Sequence, residues 1–334
     1  MKTAHGLALL VIVGALAGCG GGGGKPTITL YNGQHPQLTQ ALVDAFERKT
    51  GIQVKVRTGD SVVLAAQILQ EGSASLADVY LSENSPELQA LSENHLLARL
   101  PTSITSQIPG KYNAPGGDWA GFALRVSALV YNPSQISAAQ LPKHFLDLAQ
   151  PGWKGKLALA PTDSDFPPLV GGVIAAHGTP AATSWLDGLK ANAVLYPDEE
   201  AVVSAVERGD QPVGVINQYY WYRLQLEQGA SHTASRLYFF PNRDIGTRVN
   251  ISGVAVVDSS DKKSDAEAFV RFLVSPEGQR IISRGDDYEY PARPGVAPNA
   301  ALPPLRQLNA NDLSVAKLGD DQQSVTLIQQ AGLG

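Results

Sequence analysis

Cysteine is nearly absent from this chain of 334 residues, which contains only Cys19. A single thiol forms no internal disulfide, so the stability of the folded part depends on its hydrophobic core. An excess of basic residues is absent too, because 26 Lys and Arg face 31 Asp and Glu and give a formal net charge of −5. Without a basic field, nucleic acid and anionic membrane surfaces are excluded as partners.

Long apolar runs are lacking after the N-terminus, where no segment approaches the roughly 20 apolar residues of a membrane-spanning helix. The N-terminal run, residues 7–18, is shorter, follows Lys2 and ends in LAGC (residues 16–19). This order is typical of a secretory signal and is similar to the lipobox of bacterial lipoproteins, in which the cysteine carries lipid. We therefore expect a lipoprotein signal peptide over residues 1–18 and a lipid on Cys19. The plainer alternative is an ordinary signal peptide with an incidental cysteine.

A run of glycines, residues 20–24, predicts a flexible tether, so that residues 19–25 join the lipidated cysteine to the folded part. The folded part begins near Pro26 and has roughly 300 residues, enough for one large domain or two lobes. We expect a monomer at the periplasmic or other extracytoplasmic face of a membrane, held there only by its lipid.

Strand patterns at residues 27–30 (TITL), 52–56 (IQVKV) and 77–82 (ADVYLS) alternate with helical patterns. Such alternation predicts a mainly parallel sheet with helices on both faces, and ligands of such sheets bind beyond the carboxyl ends of the strands. His35 follows the first of these strands and Glu83 follows the third, so both are candidate binding residues.

A second alternating region follows, and two strand patterns connect it to the first. Residues 126–133 (VSALVYNP) lead into the second region, and residues 248–257 (RVNISGVAVV) lead back. Two lobes joined by two crossing strands would enclose a cleft. The predicted N-terminal lobe comprises residues 26–125 and about 250–300, and the predicted C-terminal lobe comprises residues 126–249 and about 301–334.

An aromatic segment, NQYYWYR (residues 217–223), follows the buried strand pattern PVGVI (residues 212–216). Asn217 is suited to cap a helix that begins there. Tyr219 and Tyr220 then lie where a strand gives way to a helix, and phenols at such a place either fill the core or face a ligand. The residues by themselves leave both options open.

Seven segments run in the order found in one protein family: LYNGQH (30–35), ADVYLSENSPEL (77–88), LVYNP (129–133), WKGKLALAPT (153–162), GVINQYYWYRL (214–224), FLVSPEGQ (272–279) and EYPARPGV (289–296). On these segments the chain resembles the bacterial periplasmic solute-binding proteins, and among them the ferric-iron-binding proteins of ABC importers. The resemblance implies an α/β, two-lobed type II periplasmic-binding-protein fold, in which two crossing strands join mainly parallel sheets flanked by helices. It also implies a carrier that captures Fe(III) in the interlobe cleft and delivers it to an ABC permease and its ATPase.

By this resemblance, His35 and Glu83 of the first lobe match two of the family's iron ligands. Tyr219 and Tyr220 of the second lobe match the other two. A strand-to-helix junction lets both phenols converge on one ion, whereas neighbours on a regular strand point to opposite faces. Fe(III) favours anionic oxygen ligands, and its charge stabilises phenolates whose ordinary pKa is near 10. Two phenolates and one carboxylate balance its three charges, and affinity should fall on acidification because ligand protons must leave.

In many members of that family a bound phosphate or carbonate completes the iron shell, in a loop of small uncharged residues. Here the matching segments carry several carboxylates, which repel phosphate, so carbonate or no anion is favoured. The candidate residues for an anion or an additional ligand are Arg125, Thr162, Asp163, Ser164, Asp165, Glu199 and Asn217.

Three arrangements are open for this position. In the first, a carboxylate from the acidic segments enters the iron shell in place of the anion. In the second, carbonate binds with Arg125 as its cationic partner. In the third, Asp163 and Asp165 only cap the helix that begins at Pro167, and water remains on the metal.

Two other classes of function compete with iron transport. A carrier of an organic cation such as thiamine or a polyamine would use the aromatic cluster for cation–π contacts. His35 and Glu83 favour a metal instead, although Glu83 also suits the cap of a helix near Pro86. Trp221 and Tyr222 are expected to pack in the core. An enzyme is disfavoured, since the sequence contains no G-x-S-x-G, no H-E-x-x-H and no P-loop.

Overall fold

A computed structural model describes residues 25–334 of the chain. The predicted signal peptide, the predicted lipidation site Cys19 and the glycine run of residues 20–24 lie outside the described residues. Within residues 25–334, no helix is both long enough and apolar enough to cross a membrane. Strands and helices alternate along this part of the chain, as the sequence predicts.

The described part contains ten strands and twelve α-helices, and short 3-10 turns join several of them. The strands are β1 (Thr27–Asn32), β2 (Gln53–Thr58), β3 (Val79–Ser82), β4 (Trp119–Tyr131), β5 (Leu157–Leu159), β6 (Ala193–Leu195), β7 (Val213–Asn217), β8 (Arg236–Tyr238), β9 (Val249–Val256) and β10 (Tyr290–Pro291). The helices are α1 (Pro36–Thr50), α2 (Ser61–Glu71), α3 (Ser85–Glu93), α4 (Thr102–Thr105), α5 (Phe166–His177), α6 (Thr179–Asn192), α7 (Glu199–Arg208), α8 (Gln218–Gln228), α9 (Lys263–Leu273), α10 (Pro276–Arg284), α11 (Leu305–Leu308) and α12 (Gln322–Gln330).

The strands form a continuous hydrogen-bonded path in the order β2-β1-β3-β9-β4-β7-β5-β6, with β8 and β10 also paired to β4. On one side β1 runs parallel to β2 and β3, and on the other side β5 runs parallel to β6 and β7. Between these groups β9 and β4 run antiparallel to each other, and β4 continues from β9 to β7. β4 and β9 are therefore the two strands that cross between the halves of the molecule.

β4 is longer than the sequence predicts, because it begins at Trp119 and not near Val126. Its residues are buried except for the partly exposed Tyr131. Its N-terminal part pairs with β9 and β10, and its C-terminal part pairs with β7 and β8. Gly121 lies at an irregularity in this pairing, where a Cβ atom would come within 2.6 Å of the Tyr112 carbonyl oxygen. A single strand thus holds both halves of the sheet together.

Helix α1 begins directly after β1, and this fixes the position of His35. His35 is the N-cap residue and Pro36 occupies the first turn, where its missing N–H costs nothing. The helix ends at Gly51, whose φ of 77° places it in the left-handed region. The buried apolar face of α1 includes Leu38, Leu42 and Phe46. Because this face packs on the core, His35 is held at the carboxyl end of β1.

Candidate metal centre

His35 and Glu83 lie beside each other at the carboxyl ends of β1 and β3, which are neighbours in the sheet. The distance from His35 Nε2 to Glu83 Oε1 is 3.3 Å, and the side chains are 14% and 15% exposed. The N-cap residue of α3 is Asn84, and the Glu83 carboxylate contacts the imidazole instead of the helix. The alternative in which Glu83 caps this helix is therefore wrong.

Tyr219 and Tyr220 lie in the first turn of α8, directly after β7 ends at Asn217. Their rings stack with centroids 4.1 Å apart and an angle of 30° between the planes. Tyr219 is fully buried, and Tyr220 is partly exposed. The strand-to-helix junction thus turns both phenol rings to the same side.

The two pairs of residues meet across the boundary between the halves of the molecule. The Tyr219 hydroxyl donates to Glu83 Oε1 at 3.1 Å, and the Tyr219 ring centroid lies 4.9 Å from that of His35. One carboxylate oxygen of Glu83 therefore contacts both an imidazole and a phenol. Tyr220 joins this group through its stacking on Tyr219.

Two carboxylates on the far side of His35 were missed by the sequence analysis. His35 Nδ1 is 3.4 Å from Asp287 Oδ1 and 3.8 Å from Glu289 Oε1, and both acids belong to the segment between α10 and β10. Gln34 supports the arrangement, because its Nε2 donates to Glu289 Oε1 and its Oε1 accepts from the His35 backbone N–H. Glu289 falls in the EYPARPGV segment, but neither periodicity nor spacing relates that segment to His35.

The contacts of His35 and Glu83 change the acidity of both groups. Burial by itself lowers the pKa of His35, but the carboxylates of Asp287 and Glu83 outweigh it and raise this pKa to about 10. Burial alone would raise the pKa of Glu83, yet the contact with His35 and the charge of Arg125 lower it to about 2. Without a bound cation, the pair is therefore an imidazolium beside a carboxylate at neutral pH.

The pKa values of the two phenols are raised, whereas a metal ligand must be a deprotonated phenolate. Burial raises the pKa of Tyr219 well above 10, and the negative charge of Glu83 adds to this effect. Burial also raises the pKa of Tyr220 far above 10, with the charge of Asp165 as the next cause. Both phenols keep their protons until a cation stabilises the phenolate form.

Arg125 is fully buried, and protein groups already occupy its guanidinium. Nη2 donates to Asp165 Oδ1 and Asn84 Oδ1, both at 2.5 Å. Nη1 donates to the Glu83 carbonyl oxygen at 2.5 Å and to Ser252 Oγ at 3.1 Å. Only Nε has no hydrogen-bond partner, so a carbonate ion would have to displace protein groups to form a paired contact with Arg125.

Asp165 and Asn217 occupy the N-cap positions of α5 and α8, but neither side chain caps its helix. Asp165 Oδ2 accepts from Asn217 Nδ2 at 2.6 Å, and Asn217 Oδ1 accepts from Asn250 Nδ2 at 2.7 Å. The predicted caps are therefore wrong, and α5 begins at Phe166 and not at Pro167. These two side chains form hydrogen bonds with buried polar groups of other elements instead of with the backbone N–H groups at the helix ends.

Asp163 bridges two backbone segments beside Asp165. Its Oδ1 accepts from the Asp165 N–H at 3.0 Å, and its Oδ2 accepts from the Glu199 N–H at 3.1 Å. Burial and the charge of Asp165 raise the pKa of Asp163 to about 7, and the same two causes raise the pKa of Glu199 well above its ordinary value. Asp163 thus lies at the N-terminus of α7 and does not cap α5. It accepts from a backbone N–H of α7 that would otherwise be open to an exogenous anion.

The remaining candidate residues lie outside this group. Thr162 is exposed, and Ser164 contributes its backbone carbonyl, which accepts from Asn84 Nδ2 at 3.2 Å. The Trp221 indole N–H donates to a serine hydroxyl at 3.1 Å, and the Tyr222 ring stacks on another tyrosine at 5.4 Å. Trp221 and Tyr222 are therefore packing residues, as the sequence predicts.

The side-chain donors that meet here are an imidazole, a carboxylate and two phenols. Within residues 25–334, the His, Asp and Glu side chains by themselves form no group of three arranged to hold a metal ion. Phenolate, carboxylate and imidazole ligands together suit a hard trivalent cation.

Known proteins are similar in sequence to this chain over most of its length. Residues 30–285 match the family model described as bacterial extracellular solute-binding protein. The chain is 38% identical to the Fe(3+)-binding periplasmic protein of Serratia marcescens, over 92% of this chain and 90% of that protein. It is 39% identical to the major ferric iron-binding protein of Neisseria meningitidis serogroup B, over 92% of this chain and 93% of that protein.

Solved structures show the same architecture and confirm the predicted α/β periplasmic-binding-protein fold. The iron-bound HitA of Pseudomonas aeruginosa has a TM-score of 0.88 at 40% identity, covering 92% of this chain and all (100%) of that chain. The Trichodesmium protein IdiA (FutA) in complex with iron and citrate has a TM-score of 0.79 at 30% identity, with coverage of 92% and 100%. Family membership also confirms a binding protein and not an enzyme. The chain belongs to the bacterial extracellular solute-binding proteins, and its relatives within that family include the periplasmic ferric-iron-binding proteins.

Proposed function

We propose that this protein captures Fe(III) in the cleft between its lobes and delivers it to an ABC permease driven by an ATPase. The proposed iron ligands are His35, Glu83, Tyr219 and Tyr220. The observation that carries the proposal is the position of Glu83 Oε1, which lies 3.3 Å from His35 Nε2 and accepts from the Tyr219 hydroxyl at 3.1 Å. Donors from both halves of the sheet converge there, and relatives of 38–40% identity are named for iron.

Charge balance explains why iron would enter a site that holds protons when empty. Fe(III) displaces one proton from each of three groups: the Tyr219 phenol, the Tyr220 phenol and the His35 imidazolium. Glu83 is already ionised, because its pKa is about 2. The ion is then surrounded by two phenolates and one carboxylate, whose charges cancel its own. In a buried site this neutralisation is strong, since little water screens the charges.

We further propose that the protein needs no exogenous anion beside the iron. Asp165 accepts hydrogen bonds from Arg125, Asn84 and Asn217, so an internal carboxylate already uses the cationic and amide donors of this region. Phosphate or carbonate entering here would also meet the carboxylates of the half-buried Asp163 and the buried Asp165. Asp165 therefore takes the role that a bound anion has in many relatives.

The placement of the protein follows from its N-terminal segment. We propose export, cleavage before Cys19, lipidation of that cysteine and a glycine tether through residue 25, so that the carrier works at the extracytoplasmic face of a membrane. The lobes are proposed to divide the chain at residue 125 and near residue 250, with the last segment from about residue 301 assigned to the C-terminal lobe.

An absorption titration with ferric citrate tests the metal site. The iron-free domain from residue 25 onward should develop a broad visible band from phenolate-to-iron charge transfer, and Tyr219→Phe/Tyr220→Phe should lose it. Tyr222→Phe is the matched control, because that phenol packs on another tyrosine and should leave the band unchanged. A colourless wild-type protein would show that iron is not the cargo.

The cavity beside Tyr220 is smaller than the sites that usually bind small organic ligands. The cavity beside Tyr220, lined also by Arg223 and Glu227, measures about 170 Å³. Sites for small organic ligands usually measure about 300–1,000 Å³. Calorimetry with thiamine and spermidine on the iron-free domain should therefore give no saturable heat.

A further inference from the structure

The largest cavity described here lies away from the proposed iron ligands, between α10 and the loop of residues 293–300. It measures about 720 Å³, and three arginines line it: Arg280, Arg284 and Arg293. Ser283 and Asn299 add polar groups, and no aspartate or glutamate lines this cavity. A concentration of positive charge without acids is unexpected on a protein whose formal net charge is −5.

Arg280 and Arg284 lie four residues apart on α10 and therefore on the same face of the helix. Like charges at this spacing destabilise a helix. Arg284 gains from its place in the last turn, near the negative end of the helix dipole, but Arg280 does not. The nearby Glu277 forms an ion pair with Lys49, so it is engaged elsewhere. Both arginines are exposed and line the cavity, and a bound anion would offset the repulsion between their like charges.

Arg293 completes the site from the opposite wall and is held in place. Its backbone N–H donates to Gln279 Oε1 at 2.8 Å, and its Nη1 donates to the Val274 carbonyl oxygen at 2.9 Å. These bonds leave Nη2 and Nε available for a ligand. The wall beyond it contains Pro294, Pro298 and Gly295, whose φ is 83°. Pro294 and Pro298 each have a fixed φ, which limits the ordering that a ligand would have to impose on this wall.

We infer that this cavity binds a small multivalent oxyanion, either a tricarboxylate or a polyphosphate. Guanidinium groups pair with carboxylate and phosphate oxygens in a two-pronged geometry, and three of them suit a ligand with about three negative charges. The cavity volume falls within the roughly 300–1,000 Å³ of small-ligand sites. The inference does not depend on iron, because none of the proposed iron ligands lines this cavity.

Isothermal titration of the iron-free domain with citrate, tripolyphosphate and inorganic phosphate tests the inference. At low ionic strength, citrate or tripolyphosphate should bind at one site, and Arg280→Gln/Arg284→Gln should weaken this binding at least tenfold. Arg293→Gln provides a second, independent removal of charge from the opposite wall. Arg99→Gln is the matched control, since Arg99 is exposed and lies outside the cavity.

The comparison of anions distinguishes a carboxylate ligand from a phosphoryl ligand. The comparison of variants distinguishes the arginine-lined cavity from the proposed iron site. Preference for citrate identifies a carboxylate ligand, and preference for tripolyphosphate identifies a phosphoryl ligand. Tyr219→Phe/Tyr220→Phe should retain full anion binding, which places it outside the iron cleft. No saturable heat with any of the three anions, or equal weakening by Arg99→Gln, overturns the inference. The ferric absorption band of each arginine variant reports that it is folded, whatever the anion result.

Discussion

At the scale of single residues, Asp165 compensates a buried guanidinium from inside the protein. Arg125 is fully buried and the Asp165 side chain is 2% exposed, so solvent screens their contact little. Asp165→Asn leaves the charge of Arg125 uncompensated, and breaking a buried pair in this way costs about 3–5 kcal/mol. Urea denaturation should show this loss in the free energy of unfolding, and added carbonate or phosphate should recover part of it.

Asp210→Asn is the control for that substitution, because the exposed pair of Asp210 with Arg208 should contribute less than about 1 kcal/mol. Wild-type protein should show neither the loss nor a dependence on added carbonate. Equal stabilisation of wild type and Asp165→Asn by carbonate would refute the internal-anion proposal.

Asp287 lies beside His35 and is expected to act on the proposed metal site through that imidazole. Its carboxylate lies 3.4 Å from His35 Nδ1 and would orient the imidazole toward the ion. Loss of such a supporting carboxylate usually weakens metal affinity about 10–100-fold. We expect this loss for Asp287→Asn in competition with ferric citrate, with the visible band unshifted because both phenolates remain. Asp286→Asn, at the exposed neighbouring position, should keep wild-type affinity.

The sequence identifies the residues that follow strands and fails for those that reach them from elsewhere. His35 and Glu83 could be named because parallel strands end at one edge of a sheet. Asp287 could not, since it lies on an irregular connection more than 250 residues from His35. The roles of Asp165 and Asn217 were also missed, because a cap-forming side chain is a local expectation that buried long-range partners override.

At the scale of elements, Gly214 lets α7 pack closely on β7. A Cβ atom there would lie 2.4 Å from Val202 Cγ1, inside the distance that real contacts allow. Gly214→Ala should therefore separate α7 from the sheet and lower the free energy of unfolding by about 1–3 kcal/mol. Gly152→Ala meets nothing within 4 Å and should stay within about 0.5 kcal/mol of wild type in the same urea denaturation. Equal losses in the two variants would contradict the packing argument.

The order of strands and helices was predictable from periodicity, but the extent of β4 was not. Its N-terminal half contains Gly121 and Arg125, and both residue types argue against a buried strand in a local pattern. The fold accepts the glycine because another backbone approaches closely there. It accepts the arginine because four oxygens from other elements accept its hydrogen bonds, and one of them belongs to the Asp165 carboxylate. Both reasons are contacts with residues distant in the sequence, so a local sequence pattern cannot predict them.

At the scale of the whole molecule, iron binding should be coupled to proton release. In the iron-free protein His35 has a pKa of about 10 and the two phenols have higher values, so all three are protonated at neutral pH. Binding therefore releases about three protons, and apparent affinity falls as pH falls, by about three powers of ten per pH unit between pH 6 and 8. The sign follows from protons competing with the ion for the same ligands.

A pH-stat titration with ferric citrate at pH 7 measures this release. Tyr220→Phe should release one proton fewer than wild type, and the difference between the two proteins cancels the protons that the chelator itself exchanges. An identical count in both would remove Tyr220 from the ligand set.

The continuity of β4 should couple the unfolding of the two halves of the molecule. The backbone of this strand is hydrogen-bonded to β9 and β10 at one end and to β7 and β8 at the other. If either half melted, buried amides of the shared strand would lose their partners, which is costly in a core. Denaturation should therefore be one cooperative event, and amide hydrogen exchange in β4 should require opening of the entire molecule. By the proposed function, release of iron should therefore accompany rotation of the two halves about an intact β4, and not the melting of one half.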